Sequence, residues 1–240
     1  MRRRVAGAGL IMGKLAHSLR HDGVYATLRK AFVHMTYGPA EDDGFDRQYG
    51  TDTGGLVPLW KVSVRSANAR YGLPYRATTE AELTRALGGL GENLARFTFV
   101  DLGCGKGRTL LIASRFGFRS VIGVEFAAEL AAIARANLAK RGLPEVTVIE
   151  GDAADYAFPE APLVVYLYHP FAGEVMGKVM ATLERHVRRW PLLPLYVVYK
   201  NPLHGGLFDQ SASFAYLGAV PDHPDILTWK AVGADRHPAA

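Results

Sequence analysis

The sequence predicts an α/β fold: a doubly wound, mostly parallel sheet preceded by a helical and loop extension. Three observations predict it. From Phe97 onward short apolar runs alternate with helical segments, the pattern of a parallel sheet covered on both faces. The first of these runs passes directly into a glycine-rich turn, Gly103-Cys104-Gly105-Lys106-Gly107, and then into a helical pattern. After Asn201 the alternation stops, and Phe214–Val220 and Ile226–Val232 flank a turn-rich Pro-Asp-His-Pro-Asp, which predicts an antiparallel hairpin. The 240 residues are 49% hydrophobic and 21% charged, ordinary values that exclude disorder, collagen and coiled coil.

Taken in order, the chain divides at residue 74. Residues 1–74 form the extension and residues 75–240 the main domain. Leu15, Leu19, Val24, Leu28 and Phe32 recur at helical spacing, with Asp22-Gly23 as a break. Arg2–Arg4 followed by Val5–Gly13 mimics the start of a targeting signal, but Lys14 interrupts the apolar run and no small-residue cleavage site follows. No run approaches the roughly 18 apolar residues of a membrane span, so the expected location is cytoplasmic. Residues 1–35 either touch an anionic membrane surface as a basic amphipathic helix pair or pack on the domain with their charges in water. Residues 38–58 lack apolar periodicity and are rich in Gly, Asp and Thr. They read as a long ordered loop, either a lid with glycine hinges or a static turn. Trp60, Val62 and Val64 alternate as in a short strand. Thr79 with Glu82 fits a capping box that opens a helix to about Leu90.

The core strands are expected at Phe97–Leu102, Val121–Glu125, Val146–Ile149, Leu163–Tyr168 and Tyr196–Tyr199. Helices are expected at Thr109–Phe116, Ala127–Arg141 and Glu174–Arg189. In the last of these Val175, Val179, Leu183 and Val187 repeat every four residues. One cysteine, Cys104, excludes an intrachain disulfide framework, and no Cys/His spacing resembles a zinc site.

The net charge of +5 invites a nucleic-acid partner, but its distribution argues otherwise. Residues 1–30 hold seven basic side chains against one acid, leaving the rest of the chain at −1. A phosphate-tracking groove needs basic residues on the body of the fold. Nucleic acid is therefore a lesser partner hypothesis, with the basic N-terminus as its tether.

The glycine turn offers bare backbone and helix N–H groups to a ligand. It is not the dinucleotide fingerprint Gly-x-Gly-x-x-Gly/Ala, because Arg108 stands where close packing needs a small residue. Nor does it match the phosphate loop of nucleotide hydrolases. Twenty residues beyond Gly105, the second strand ends in Gly123-Val124-Glu125, and the third runs into Glu150-Gly151-Asp152-Ala153. A carboxylate at the first position can accept hydrogen bonds from both hydroxyls of a ribose, and one at the second from the exocyclic amine of adenine. Asp101, Glu125 and Asp152 thus gather at the carboxyl edge of the sheet. Each acid alone also has a plain reading as a solvated loop carboxylate.

Residues 75–232, carrying DLGCGKG, GVE and GDA, resemble the class I S-adenosylmethionine-dependent methyltransferases. The resemblance implies a Rossmann-like sheet of seven strands in the order 3-2-1-4-5-7-6, with strand seven antiparallel. It implies S-adenosyl-L-methionine as cofactor, with Asp101, Gly103, Cys104, Gly105 and Gly107 at its methionine end. By the same resemblance Glu125 binds the ribose, Phe126 flanks the adenine, and Asp152 with Ala153 reads its edge. The electrostatics agree separately, since a sulfonium cation tolerates acids that would repel a pyrophosphate. A crystal soaked with the cofactor that showed these carboxylates pointing elsewhere, or the crevice plugged by the protein's own side chains, would overturn this reading.

The fourth strand exits through Tyr168-His169-Pro170-Phe171, where the resembled family places the acceptor atom. Amine-modifying members carry Asn or Asp followed by two prolines and an aromatic residue. His169 and the single Pro170 depart from that pattern, which puts amine specificity in doubt. His169 is a general-base candidate or a structural histidine, while Tyr168 and Phe171 form an aromatic wall for a cation or simply pack. Asn201-Pro202 is a further lining candidate, and Thr78 and Thr79 lie within reach of the methionine carboxylate. The expected reaction is methyl transfer to nitrogen or oxygen of a small-molecule or protein acceptor. The alternative is a cofactor-binding or interaction protein that has lost the chemistry.

Overall fold

The computed structural model describes residues 43–55, 75–168 and 173–233, all within one compact unit, Asp42–Ala240. The N-terminal helices, the Trp60–Val64 strand, and His169, Pro170 and Phe171 lie outside the described residues.

Seven strands build one sheet: β1 Thr98–Leu102, β2 Ser120–Glu125, β3 Thr147–Glu150, β4 Leu163–Tyr168, β5 Leu195–Lys200, β6 Phe214–Val220 and β7 His223–Ala231. Their order is β3-β2-β1-β4-β5-β7-β6. The first five run parallel, and β7 lies antiparallel to both β5 and β6. The central strands β1, β4 and β5 are almost wholly buried, which explains their continuous apolar runs without alternation. Strand β7 starts at His223, so the hairpin turn is tighter than expected. Asp222 takes the left-handed conformation there, φ 65°, which a short polar side chain tolerates.

Among the described residues six α-helices accompany the sheet: α1 Phe45–Tyr49, α2 Glu80–Gly88, α3 Arg108–Ala113, α4 Ala128–Lys140, α5 Gly173–Arg189 and the short α6 Gly206–Asp209. Thr79 caps α2 with the full reciprocal box: its hydroxyl accepts from Glu82 N, and Glu82 accepts from Thr79 N. One layer of core joins Leu83, Leu87, Leu110, Leu111 and Leu138 to Phe99, Val121, Val164 and Tyr166. The other joins Val175, Val179, Leu183 and Val187 of α5 to Val100, Leu102, Val165 and Leu167. Alternate residues of β1 thus serve opposite layers, and Asp101 falls on the α2–α3–α4 side together with its register partner Tyr166.

The described part of the ordered loop expected over 38–58, residues 43–55, includes one helical turn, α1, whose only buried residue is Phe45. One buried side chain in five leaves no periodicity to read. Among the described residues no helix is long and apolar enough to cross a membrane.

Candidate functional site

The turn after β1 is held open by backbone geometry. Gly103, Gly105 and Gly107 have φ of 91°, 55° and 83°, values that a residue with a Cβ adopts only under strain. Gly107 then caps α3 and lies so close to α4 that a Cβ there would sit 3.0 Å from Ala134 Cβ. Cys104 is packed inward, and a Cβ on Gly123 of β2 would come within 2.6 Å of its Sγ. Burial pushes the Cys104 thiol well above its ordinary value, so it is an inert packing residue.

Two carboxyls flank the turn, both essentially out of solvent. Asp101 accepts a short hydrogen bond from the Thr109 hydroxyl at the start of α3. Glu125 accepts from Gly105 N at 2.8 Å with one oxygen and from Ala127 N at 2.9 Å with the other. Burial pushes both up to about 7, opposed by these hydrogen bonds; at Asp101 the Glu125 charge adds to the rise. Each carboxylate oxygen retains a second lone pair, so Glu125 can accept from a ligand while holding the turn. Phe126 follows half-buried.

Strand β3 ends opposite β2, with Glu150 in register with Glu125 and Gly151 N bonded to Glu125 O at 2.9 Å. That brings Asp152 and Ala153 to the same sheet edge. Asp152 accepts from Ala154 N at 2.9 Å and caps the 3-10 turn Ala153–Asp155. It therefore orders this edge rather than hanging as a solvated carboxylate.

Lys106 and Arg108, the two cations of the turn, point into the segment 43–55. Lys106 Nζ bonds Asp52 at 2.7 Å and Gly54 O at 3.0 Å. Arg108 donates to Thr53 Oγ1 at 2.7 Å and to Asp43 at 2.6 Å, lies 3.8 Å from Asp46, and stacks 4.6 Å above the Phe45 ring. Asp46 gathers the segment by accepting from Thr51, Thr53 and Gly54; these bonds outweigh burial and hold it below the usual carboxylate range. Asn137, on the buried face of α4, exchanges two backbone hydrogen bonds with Asp52 and bonds Lys106 O. Segment 43–55 is thus a strap tied to the glycine turn.

Asp101, Gly103 and Cys104 line one small cavity with Thr78, Tyr166 and Tyr168. The Thr78 and Tyr166 hydroxyls share a 2.8 Å hydrogen bond. At the rim, buried Lys200 pairs with Glu82 and with Asp225 at 3.4 Å, and lies 5.2 Å from the centre of the Tyr168 ring. Asn201 follows in a left-handed conformation, φ 48°. Tyr75 completes the wall. Its ring lies directly on Gly105, where a Cβ would be 2.0 Å from a ring carbon, and its hydroxyl donates to Thr53 O at 2.6 Å. The cavity left is only about 20 Å³, room for about one water. The Tyr75 ring thus fills the space over the middle of the turn, while Glu125, Phe126 and Asp152 lie outside this cavity's lining.

Of the site residues expected from sequence, Asp101, the three turn glycines, Cys104, Glu125, Phe126, Asp152, Ala153 and Tyr168 collect at one edge of the sheet. Tyr75, Tyr166 and Asn137 went unread. Tyr166 is a strand-interior aromatic and Asn137 a lone polar residue in a helical pattern, so neither carries a motif.

Residues 99–189 match the family model described as a methyltransferase domain. That segment is a methyltransferase domain. The 3-2-1-4-5-7-6 sheet is consistent with the class I methyltransferases. No curated protein matches the chain at the sequence level. Among solved structures, the chain is similar to a Pyrococcus horikoshii protein named as an RNA methyltransferase, with TM-score 0.50, 18% identity, and coverage of 72% of this chain and 94% of that one. A Listeria monocytogenes protein named as an N6-adenine-specific DNA methylase gives 0.49 and 18%, over 65% of this chain and 52% of that one, about half its length. A ribosomal protein L11 methylase from Lactobacillus delbrueckii subsp. bulgaricus gives 0.47 and 14%, over 65% and 80%. At 18% identity or less, likeness of fold leaves the acceptor of this domain open, nucleic acid included.

Proposed function

We propose that this chain is an S-adenosylmethionine-dependent methyltransferase that acts on nitrogen or oxygen of a small-molecule or protein acceptor. The observation that carries the reading is the sign of the pocket. Asp101 and Glu125 are buried beside the turn, while the turn's own cations, Lys106 and Arg108, are engaged by Asp52, Asp43 and Asp46 of the strap. Such a donor set suits a cationic nucleoside with hydroxyls to donate and repels a pyrophosphate.

Within that reading, the backbone of Gly103, Gly105 and Gly107 and the Asp101 carboxyl hold the methionine end. Glu125 accepts from the ribose, Phe126 flanks the adenine, and the Asp152–Ala153 turn meets its edge. S-adenosylmethionine, when bound, supplies a methyl group already activated by its sulfonium. The chain's own task is therefore placement and exclusion of water. Tyr168 borders the cavity on the side where β4 and β5 end, and His169, Pro170 and Phe171 continue from it as the proposed acceptor lining. His169 serves as general base if the acceptor carries a proton to remove.

Incubating the protein and radiolabelled S-adenosylmethionine with fractionated cell extract tests the reading and identifies the acceptor pool. Label transferred by the wild type and lost in Glu125→Ala is the expected result. Tight cofactor binding without transfer to any fraction would instead favour a non-catalytic binder. Undiminished transfer by His169→Ala would remove the general base and leave positioning intact.

A further inference from the structure

We infer that Tyr75 is a plug on the cofactor site, latched by the Asp43–Gly55 strap, so that strap contacts regulate access to the pocket. The inference rests on the methyltransferase reading above. The Tyr75 ring covers Gly105, the middle glycine of the turn, at a distance that a single Cβ would violate. The ring lines the same cavity as Asp101, Gly103 and Thr78. That cavity, about 20 Å³, is far below the roughly 300–1,000 Å³ of small-molecule sites. No nucleoside reaches the turn while the ring stays there.

The latch is specific. The Tyr75 hydroxyl donates to Thr53 O, and Thr53 is fully buried because Arg108 and Asp46 grip its side chain. Lys106 and Asn137 fix the next residues on either side, Gly54 and Asp52. The acceptor of the latch is therefore held in place while these ties last, and opening takes the Tyr75 ring away from it once the latch is weakened. Burial raises the phenol above its ordinary value, which keeps the hydroxyl a donor at any physiological pH. Apparent cofactor affinity is then the intrinsic affinity multiplied by the fraction of molecules with Tyr75 swung out. A partner that draws the strap from Lys106 raises that fraction without touching the pocket.

Isothermal titration of S-adenosylmethionine and S-adenosylhomocysteine into wild type, Tyr75→Phe and Tyr75→Ala tests this. Tyr75→Phe removes the latch and keeps the ring, and should bind about two- to tenfold tighter. Tyr75→Ala removes the plug and should bind at least about tenfold tighter. Should the alanine variant fail to fold, the phenylalanine variant carries the test. Ligand binding by Tyr75→Ala alone would also support the plug. Equal or weaker binding by folded Tyr75→Ala, or by Tyr75→Phe where the alanine variant does not fold, overturns the plug while the methyltransferase reading stands; binding by none of the three proteins overturns both. In a crystal of the S-adenosylhomocysteine complex the ring should have left Gly105. A ring still seated there over bound ligand overturns the inference.

Discussion

Protons should compete with the cofactor. Asp101 and Glu125 both titrate near 7 because they are buried, so at pH 5.5 each is mostly neutral in the free protein. A sulfonium cation in the pocket favours the charged forms and pulls both values down. Ligand binding then releases protons, and affinity rises with pH until the free carboxyls are ionised. For one carboxyl with a free value of 7 and a bound value below 5, affinity grows about fifteenfold between pH 5.5 and 7.0, or about 1.6 kcal/mol. With both carboxyls displaced the gain exceeds about a hundredfold. Titration calorimetry in buffers of different ionisation enthalpy measures the affinity and the proton count together. S-adenosylhomocysteine, which lacks the sulfonium charge, should show a shallower dependence. Affinity for S-adenosylmethionine that is flat or falls from pH 5.5 to 7.0, with no proton released, would refute the acidic-pocket argument. Stability without ligand runs in the opposite direction. A folded value above the ordinary value near 4 means the folded state holds more protons, so stability decreases as pH rises from about 4 to about 7.

Other consequences are equally direct. Arg108→Ala strips the strap of its buried cation and strands Asp43 and Asp46; it should cost about 3–5 kcal/mol and lower Tm by on the order of 10 °C. A Tm within a degree of wild type would mean the strap does not depend on Arg108. Native Cys104 should resist a thiol reagent until denaturant unfolds the chain, since it is buried with a raised thiol value; rapid labelling of folded protein would contradict that packing. Glu125→Ala should weaken S-adenosylmethionine binding by about 1.5–3 kcal/mol through loss of charged hydrogen bonds, read by calorimetry. Unchanged affinity would take Glu125 out of the site.

The five parallel strands could be located from sequence to within a residue or two because β1, β4 and β5 are buried on both faces and punctuated by glycine or proline. The reciprocal Thr79–Glu82 box was legible for a similar reason, since capping is local chemistry. Sheet order was not legible from periodicity; it came from the family resemblance. The glycine turn and its acids could also be read, but what surrounds them could not. Lys106 and Arg108 belong electrostatically to Asp52 and Asp43, 54 and 65 residues earlier, and no spacing rule links charges so far apart. Asn137 sits among apolar positions of α4, where its amide has no local signal of the strap it holds. Tyr75 carries no motif, and its seat on Gly105 exists only once strap and turn have come together.

The central claim is that the pocket at the β1 turn takes a cationic nucleoside and rejects a dinucleotide phosphate. Side-by-side calorimetry of the wild-type protein with S-adenosylmethionine and with NADH, at pH 7.5, addresses it most directly. Saturable one-to-one binding of the first and no heat from the second is the expected result. Binding of NADH alone would contradict it.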